Sequence, residues 1–204
     1  MNPSARVLAF PSRSAGSWLS PNNCTASQPK NEETLAGQGP FFHCHRHAAG
    51  RVGLYCATNP GARFEEVVVK RPPLEAYQLF GDRFLYGDMA GWDAPVNEGT
   101  AGGPSVWTVN AGILQQTSGI YTPPDDRNTL SKRGTNLVAG NASWTDIVLT
   151  ARLQSGTDDT LGLLFRYTDR NNCYRFSMDS QRRYRRLVRI SGGTFTLLWQ
   201  NEFA

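Results

Sequence analysis

The stretch LGLLFRYTDRNNCYRFSMDSQRRYRRLVRISGGTFTLLWQ, residues 161–200, decides the fold. It splits into four β-prone runs, Leu161–Tyr167, Cys173–Asp179, Tyr184–Ile190 and Thr194–Gln200. The breaks between them, Thr168-Asp169-Arg170-Asn171-Asn172, Ser180-Gln181-Arg182 and Ser191-Gly192-Gly193, hold the residues that turns use. Alternation with period 2 predicts one apolar face from Leu163, Phe165 and Tyr167, Tyr174, Phe176 and Met178, Tyr184, Arg186 and Val188, and Phe195, Leu197 and Trp199. The other face carries Arg166, Arg175, Ser177, Arg185, Arg189 and Thr196. One apolar and one polar face is the pattern of one sheet of an antiparallel sandwich.

Upstream, the same texture continues. Val106–Val109 and Gly112–Gln116 flank Asn110-Ala111 as a hairpin, and Thr145–Leu153 alternates with Ile147, Leu149, Ala151 and Leu153 on one side. No segment has helical periodicity, so the expected class is all-β. Residues 1–49 read as an irregular leader rich in Ser, Pro, Asn and Gly. Residues 50–75 contain two strands, Arg51–Cys56 and Ala62–Val69, read as a hairpin-like unit closed by Pro72-Pro73. Residues 76–204 form the main domain.

Composition is that of a globular chain, with 39% hydrophobic and 19% charged residues, 20 glycines and 12 prolines. No apolar run approaches a membrane span, so membrane insertion is not expected. Val7–Phe10 is too short an apolar core for a signal peptide, and Pro11 ends it. The net charge of +4 is concentrated in Arg182, Arg183, Arg185, Arg186 and Arg189. No wider basic field or aromatic platform extends this run, so it reads as charged protection of a sheet and not as a nucleic-acid site. The cysteines Cys24, Cys44, Cys56 and Cys173 form no tight framework. The cluster His43-Cys44-His45-Arg46-His47 is spaced too closely for its ligands all to reach one zinc ion.

Three stretches carry a family resemblance. Leu163 to Asp179 resembles the concanavalin A-like (LamG or glucanase-type) β-sandwich modules of large bacterial surface and secreted proteins. So do Phe84–Trp92 followed by Trp107, and Asn141–Asp146. The resemblance spans about residues 80–200. It implies a jelly-roll-like sandwich, an extracellular or cell-surface location, and a glycan or another extracellular protein domain as partner. Residues 50–69 look like the last two strands of such a module, so the chain resembles a piece of a tandem array whose final module is incomplete at the C-terminus. On that reading these strands either belong to a preceding copy or fill the sandwich of residues 80–204, in which case Phe64–Val69 pairs with it.

The E-x-D-x-x-E strand of related glucanases is missing. The acidic pairs Glu32-Glu33, Glu65-Glu66, Asp125-Asp126 and Asp158-Asp159 are adjacent, and neighbours on a strand point to opposite faces. No catalytic residue is assigned. The expected function is therefore non-catalytic carbohydrate binding or adhesion, with a structural spacer and a remnant hydrolase as alternatives. Aromatic and planar polar groups that hold sugars are sought at Trp92, Trp107, Tyr121, Trp144, Asp169, and at Arg166 and Arg175, which alternation places on one polar face. The aromatics serve equally well as packing. No cofactor is required; the loops at Asp125-Asp126 and Asp158-Asp159 are candidate calcium ligands, and equally ordinary solvated turns.

Overall fold

The computed structural model describes residues 4–10, 25–27, 41–43, 47–71, 77–123 and 129–202. Its strands in chain order are β1 (Ser4–Phe10), β2 (Thr25–Ser27), β3 (Phe41–His43), β4 (Arg51–Ala57), β5 (Ala62–Lys70), β6 (Gln78–Asp82), β7 (Val96–Asn97), β8 (Trp107–Asn110), β9 (Ile113–Gln116) and β10 (Thr135–Ala139). They continue as β11 (Ile147–Gln154), β12 (Thr160–Asp169), β13 (Asn172–Asp179), β14 (Tyr184–Ser191) and β15 (Thr194–Glu202). There is no helix among the described residues, so the class is all-β as the sequence predicts.

Two sheets form. The first runs β2-β3-β1-β11-β5-β9-β8, with β6 also against β5, and the second runs β15-β14-β13-β12-β4-β10-β7. All pairings are antiparallel except β1 with β3. Their facing sides supply one apolar core. Phe64, Val67 and Val69 of β5, with Ile147, Leu149, Ala151 and Leu153 of β11, meet Leu54 of β4, Leu163 and Phe165 of β12, Tyr174 and Phe176 of β13 and Leu187 of β14. The Phe165 and Tyr174 rings stack at 5.3 Å and 11°. The arrangement is a β-sandwich.

The strands of residues 51–69 are interior elements of this sandwich. β4 lies between β12 and β10. β5 pairs with β11 on one edge, and with β6 and β9 on the other. Phe64–Val69 therefore does pair with the strands of residues 80–204. The hairpin reading of this unit is corrected: β4 and β5 sit in different sheets, and the tight link Thr58–Gly61 crosses between them. The stretch read as an irregular leader contributes β1, β2 and β3, with Ser4–Ala9 paired to Arg152–Ile147.

A bulge in β5 corrects another expectation. Glu66 has φ 49°, and the register with β11 shifts there. Glu65 and Glu66 consequently both leave the core side, and Arg152 pairs with each, at 3.6 and 3.1 Å. Strand alternation fails at a bulge because it inserts one residue.

Candidate functional site

The site grows from the outward side of the second sheet, which sequence alternation assigns to solvent. Most of that side is buried. Arg175, Ser177 and Asp179 alternate along β13 with the core residues Tyr174 and Phe176. Cross-strand register then builds rows over the sheet. One row runs Asn136, Tyr55, Gly162, Ser177, Arg186, Gln200; its neighbour runs Val138, Gly53, Leu164, Arg175, Val188, Leu197. The segment Thr129–Arg133 crosses these rows and covers them. Arg175 donates to the Lys132 carbonyl at 2.6 Å and to the Leu130 carbonyl, Arg186 to the Thr129 carbonyl at 2.9 Å, and the Tyr55 hydroxyl to the Lys132 carbonyl at 2.5 Å. The Arg175 guanidinium lies 4.7 Å from the centre of the Tyr55 ring, and that of Arg186 lies 4.0 Å from the Tyr184 ring. Cation and ring face one another in both.

At one end of this face a buried ionic knot forms. Asp179 accepts from Thr160 at 2.5 Å, from Lys132 at 3.2 Å and from the Arg182 side chain at 3.0 Å. Arg182 also reaches Asp159 at 3.1 Å. Burial would raise the Asp179 carboxyl, but the Thr160 hydrogen bond and the two cations together hold it below the usual carboxylate range. Asp159, in contrast, is pushed up by burial against the pull of Arg182.

Beside this knot lies a cleft of about 530 Å³. Its floor is the outward side of β15, Leu197, Gln200 and Glu202. Its walls are the β13–β14 turn, Gln181 to Arg183, together with Tyr184, Arg186 and Leu130. Leu197 is 42% exposed, which leaves an apolar patch between amide and guanidinium groups. A hydroxylated ligand with one apolar side suits such a lining.

The predicted site residues are dispersed. Arg166 and Arg175 do not share a face. Arg166 has φ 48° in a β12 bulge, is fully buried, and donates to the His47 carbonyl at 2.8 Å. It lies on the side of Tyr174, against which the His47 ring packs edge-on. The same bulge turns Tyr167 away from the main core and into the outward cluster with Tyr55 and Val188. Asp169 caps its own turn, accepting from the Asn171 amide at 2.7 Å and from the Asn172 side chain. Trp92 donates to Asp82 at 2.8 Å and packs on Phe80 and Phe84. Trp107 is buried against Phe64 and donates to Thr135. Tyr121 bridges Ala101 by backbone pairing. Trp144 covers Gly140, where an added Cβ would meet its ring at 2.1 Å. Trp92, Trp107 and Trp144 pack against the core, and neither they nor Tyr121 line the cleft.

Of the calcium candidates, Asp125 and Asp126 lie outside the described residues. Asp158 is exposed and serves the β13–β14 turn through its carbonyl, while Asp159 is engaged by Arg182. The residues that line the cleft from β14 and β15, Tyr184, Gln200 and Glu202, escape sequence reasoning. The arginine run is visible in sequence, but its convergence on a cleft is set by register and by a distant covering segment.

Cys56 and Cys173 are buried and unbridged, on opposite sides of the second sheet. Burial pushes the Cys173 thiol up to about 12. Thiolate is the reactive form. A maleimide or iodoacetamide at pH 8 should therefore leave Cys56 and Cys173 unmodified in the native protein and modify both after denaturation. Peptide mapping reads this directly, and native labelling of Cys173 would show that its strand opens.

In class, then, the chain is an all-β protein of two packed sheets with a basic cleft at the outward edge of one. In comparisons with known proteins, no family model, no curated protein and no solved structure matches it significantly.

Proposed function

We propose that this chain is a non-catalytic, lectin-like binding module that takes a saccharide in the cleft over β14 and β15. The observation that carries the reading is the cleft lining, with the Gln181 and Gln200 amides, the Arg182, Arg183 and Arg186 guanidiniums and an exposed Leu197 floor. Planar polar groups around an apolar patch match the hydroxyls and the apolar face of a sugar ring. Among the lining residues Glu202 alone bears a carboxylate, whereas glycoside hydrolysis ordinarily uses two facing the scissile bond. The resemblance of residues 163–179 to concanavalin A-like modules points the same way, and with it to a role at the cell surface or outside the cell.

The test is a glycan array probed with the full chain, alongside Gln200→Ala and Arg183→Gln. Retention on a defined set of saccharides is expected, weakened in both variants. A blank array favours the structural-spacer alternative and ends the saccharide reading.

A further inference from the structure

Two buried arginines beneath the cleft raise a question of charge. Arg175 and Arg186 are 3% and 2% exposed. Their hydrogen bonds go to the backbone carbonyls of Thr129, Leu130 and Lys132. Neither makes an ion pair among the described residues, and the Nε of each is buried without a hydrogen-bond partner. The Ser177 hydroxyl is a third buried group without a partner. Register places the three together: Ser177 is directly opposite Arg186, and Arg175 is two residues along β13 on the same face. Burial first, and then the neighbouring charge of Arg175, disfavour the charge of Arg186. Buried cations without a carboxylate in contact are costly, and a binding site is a common reason for them to persist.

Glu98 acts on Arg175 through charge, and Asp179 on Arg186, but neither carboxylate makes an ion pair with its arginine. Arg182, Arg183 and Arg186 line the cleft with Glu202, the Lys132–Asp179 and Arg182–Asp159 pairs lie beside it, and Arg175, on which Glu98 acts, sits further along the same face. Asp159 and Asp179 are already committed to Arg182 and Lys132. Arg186 faces the cleft, and Arg183 stands exposed at its rim.

We infer that the cleft selects a saccharide bearing a carboxylate, a uronic acid unit, with the acid group directed to Arg186 and Arg183 and the ring over Leu197. The inference rests on the saccharide reading above and adds the charge. The planar guanidinium fork matches a planar carboxylate in two parallel hydrogen bonds. Glu202 on the floor accepts from sugar hydroxyls, and it disfavours the doubly charged phosphate of a phosphorylated ligand.

Isothermal titration of the full chain decides this with three probes: an oligogalacturonate, its fully methyl-esterified counterpart, and a sulfated oligosaccharide. The ester keeps the ring and removes the charge. The acid form is expected to bind at least tenfold more tightly than the ester and the sulfated probe, and its affinity should fall as salt rises. Arg183→Gln and Arg186→Gln should each cost the acid form about tenfold while leaving the ester little changed. Arg183 is exposed, so its variant keeps the test valid should the buried Arg186 variant misfold. Equal binding of acid and ester, or acid binding that neither variant weakens, overturns the charge inference and leaves the saccharide reading standing. Preference for the sulfated probe overturns the carboxylate. Neutral glycans binding on the array while every uronate fails has the same effect, and a blank array together with no titration signal overturns both.

Discussion

Replacing Asp179 by Ala should lower the unfolding free energy by about 3–5 kcal/mol, the cost of removing one partner from a buried ion pair. The Asp179 side chain is wholly buried, those of Lys132 and Arg182 are 2% and 7% exposed, and each donates to it. Without Asp179, Arg182 keeps Asp159, whereas Lys132 loses its buried carboxylate partner and keeps its hydrogen bond to the neutral Thr160 hydroxyl. For a chain of this size the loss corresponds to a fall in Tm of roughly 6–20 °C. Asp179→Leu combined with Lys132→Met should recover much of it, because both buried charges leave together. The pH dependence has a definite sign. The folded carboxyl of Asp179 lies below its unfolded value, so its contribution is present above the ordinary carboxylate pKa of about 4 and is lost as pH falls through the folded one. The gap between wild type and Asp179→Ala in urea unfolding should therefore be full at pH 7 and narrow in acid. A loss under about 1 kcal/mol at pH 7 would mean that the knot is solvated and behaves as a surface pair.

That knot illustrates what the sequence conceals. The strands around it are legible: the runs read at 173–179 and 184–190 are β13 and β14 to within a residue or so, because Ser180-Gln181-Arg182 and Ser191-Gly192-Gly193 mark the turns. The core side of β11, β12 and β13 is legible for the same reason, since Leu149, Leu163 and Phe176 recur at period 2. Legibility fails where a residue is inserted. The bulge at Arg166 rotates Tyr167 to the outward side and separates Arg166 from Arg175. It fails again in β14, where both alternating sets mix arginine with aliphatic residues. Only pairing decides, and it sets Leu187 against Phe176 in the core and Arg186 against Ser177 outside. The cleft adds a non-local requirement. Arg175 and Arg186 are buried because Thr129–Arg133, more than forty residues away from each of them in sequence, offers its carbonyls across the sheet. No local pattern in Arg182–Arg189 announces that cover, so the run reads as a solvated charged edge.

Phe64→Ala tests the placement of residues 51–69 most severely. Phe64 has no exposed surface, pairs in register with Leu153 and Leu114, and packs its ring 5.7 Å from that of Trp107. Truncating a buried Phe costs about 3–5 kcal/mol through lost transfer energy and the cavity left behind. The size of the loss matters less than how it is distributed. If β5 belonged to a separate preceding unit, the loss would fall on an early transition of its own, and the sheet of β12–β15 would unfold as in wild type. With β5 pairing β11 and its side chains meeting Leu163 and Phe165 across the core, the two sheets share one set of contacts. Far-UV circular dichroism, which follows all strands, and tryptophan fluorescence, which follows Trp107 in one sheet and Trp199 in the other, should then shift together to lower urea in the variant. Coincident curves are expected; an early phase in the circular dichroism of the variant, with the fluorescence midpoint left where it is in wild type, would return residues 51–69 to a module of their own.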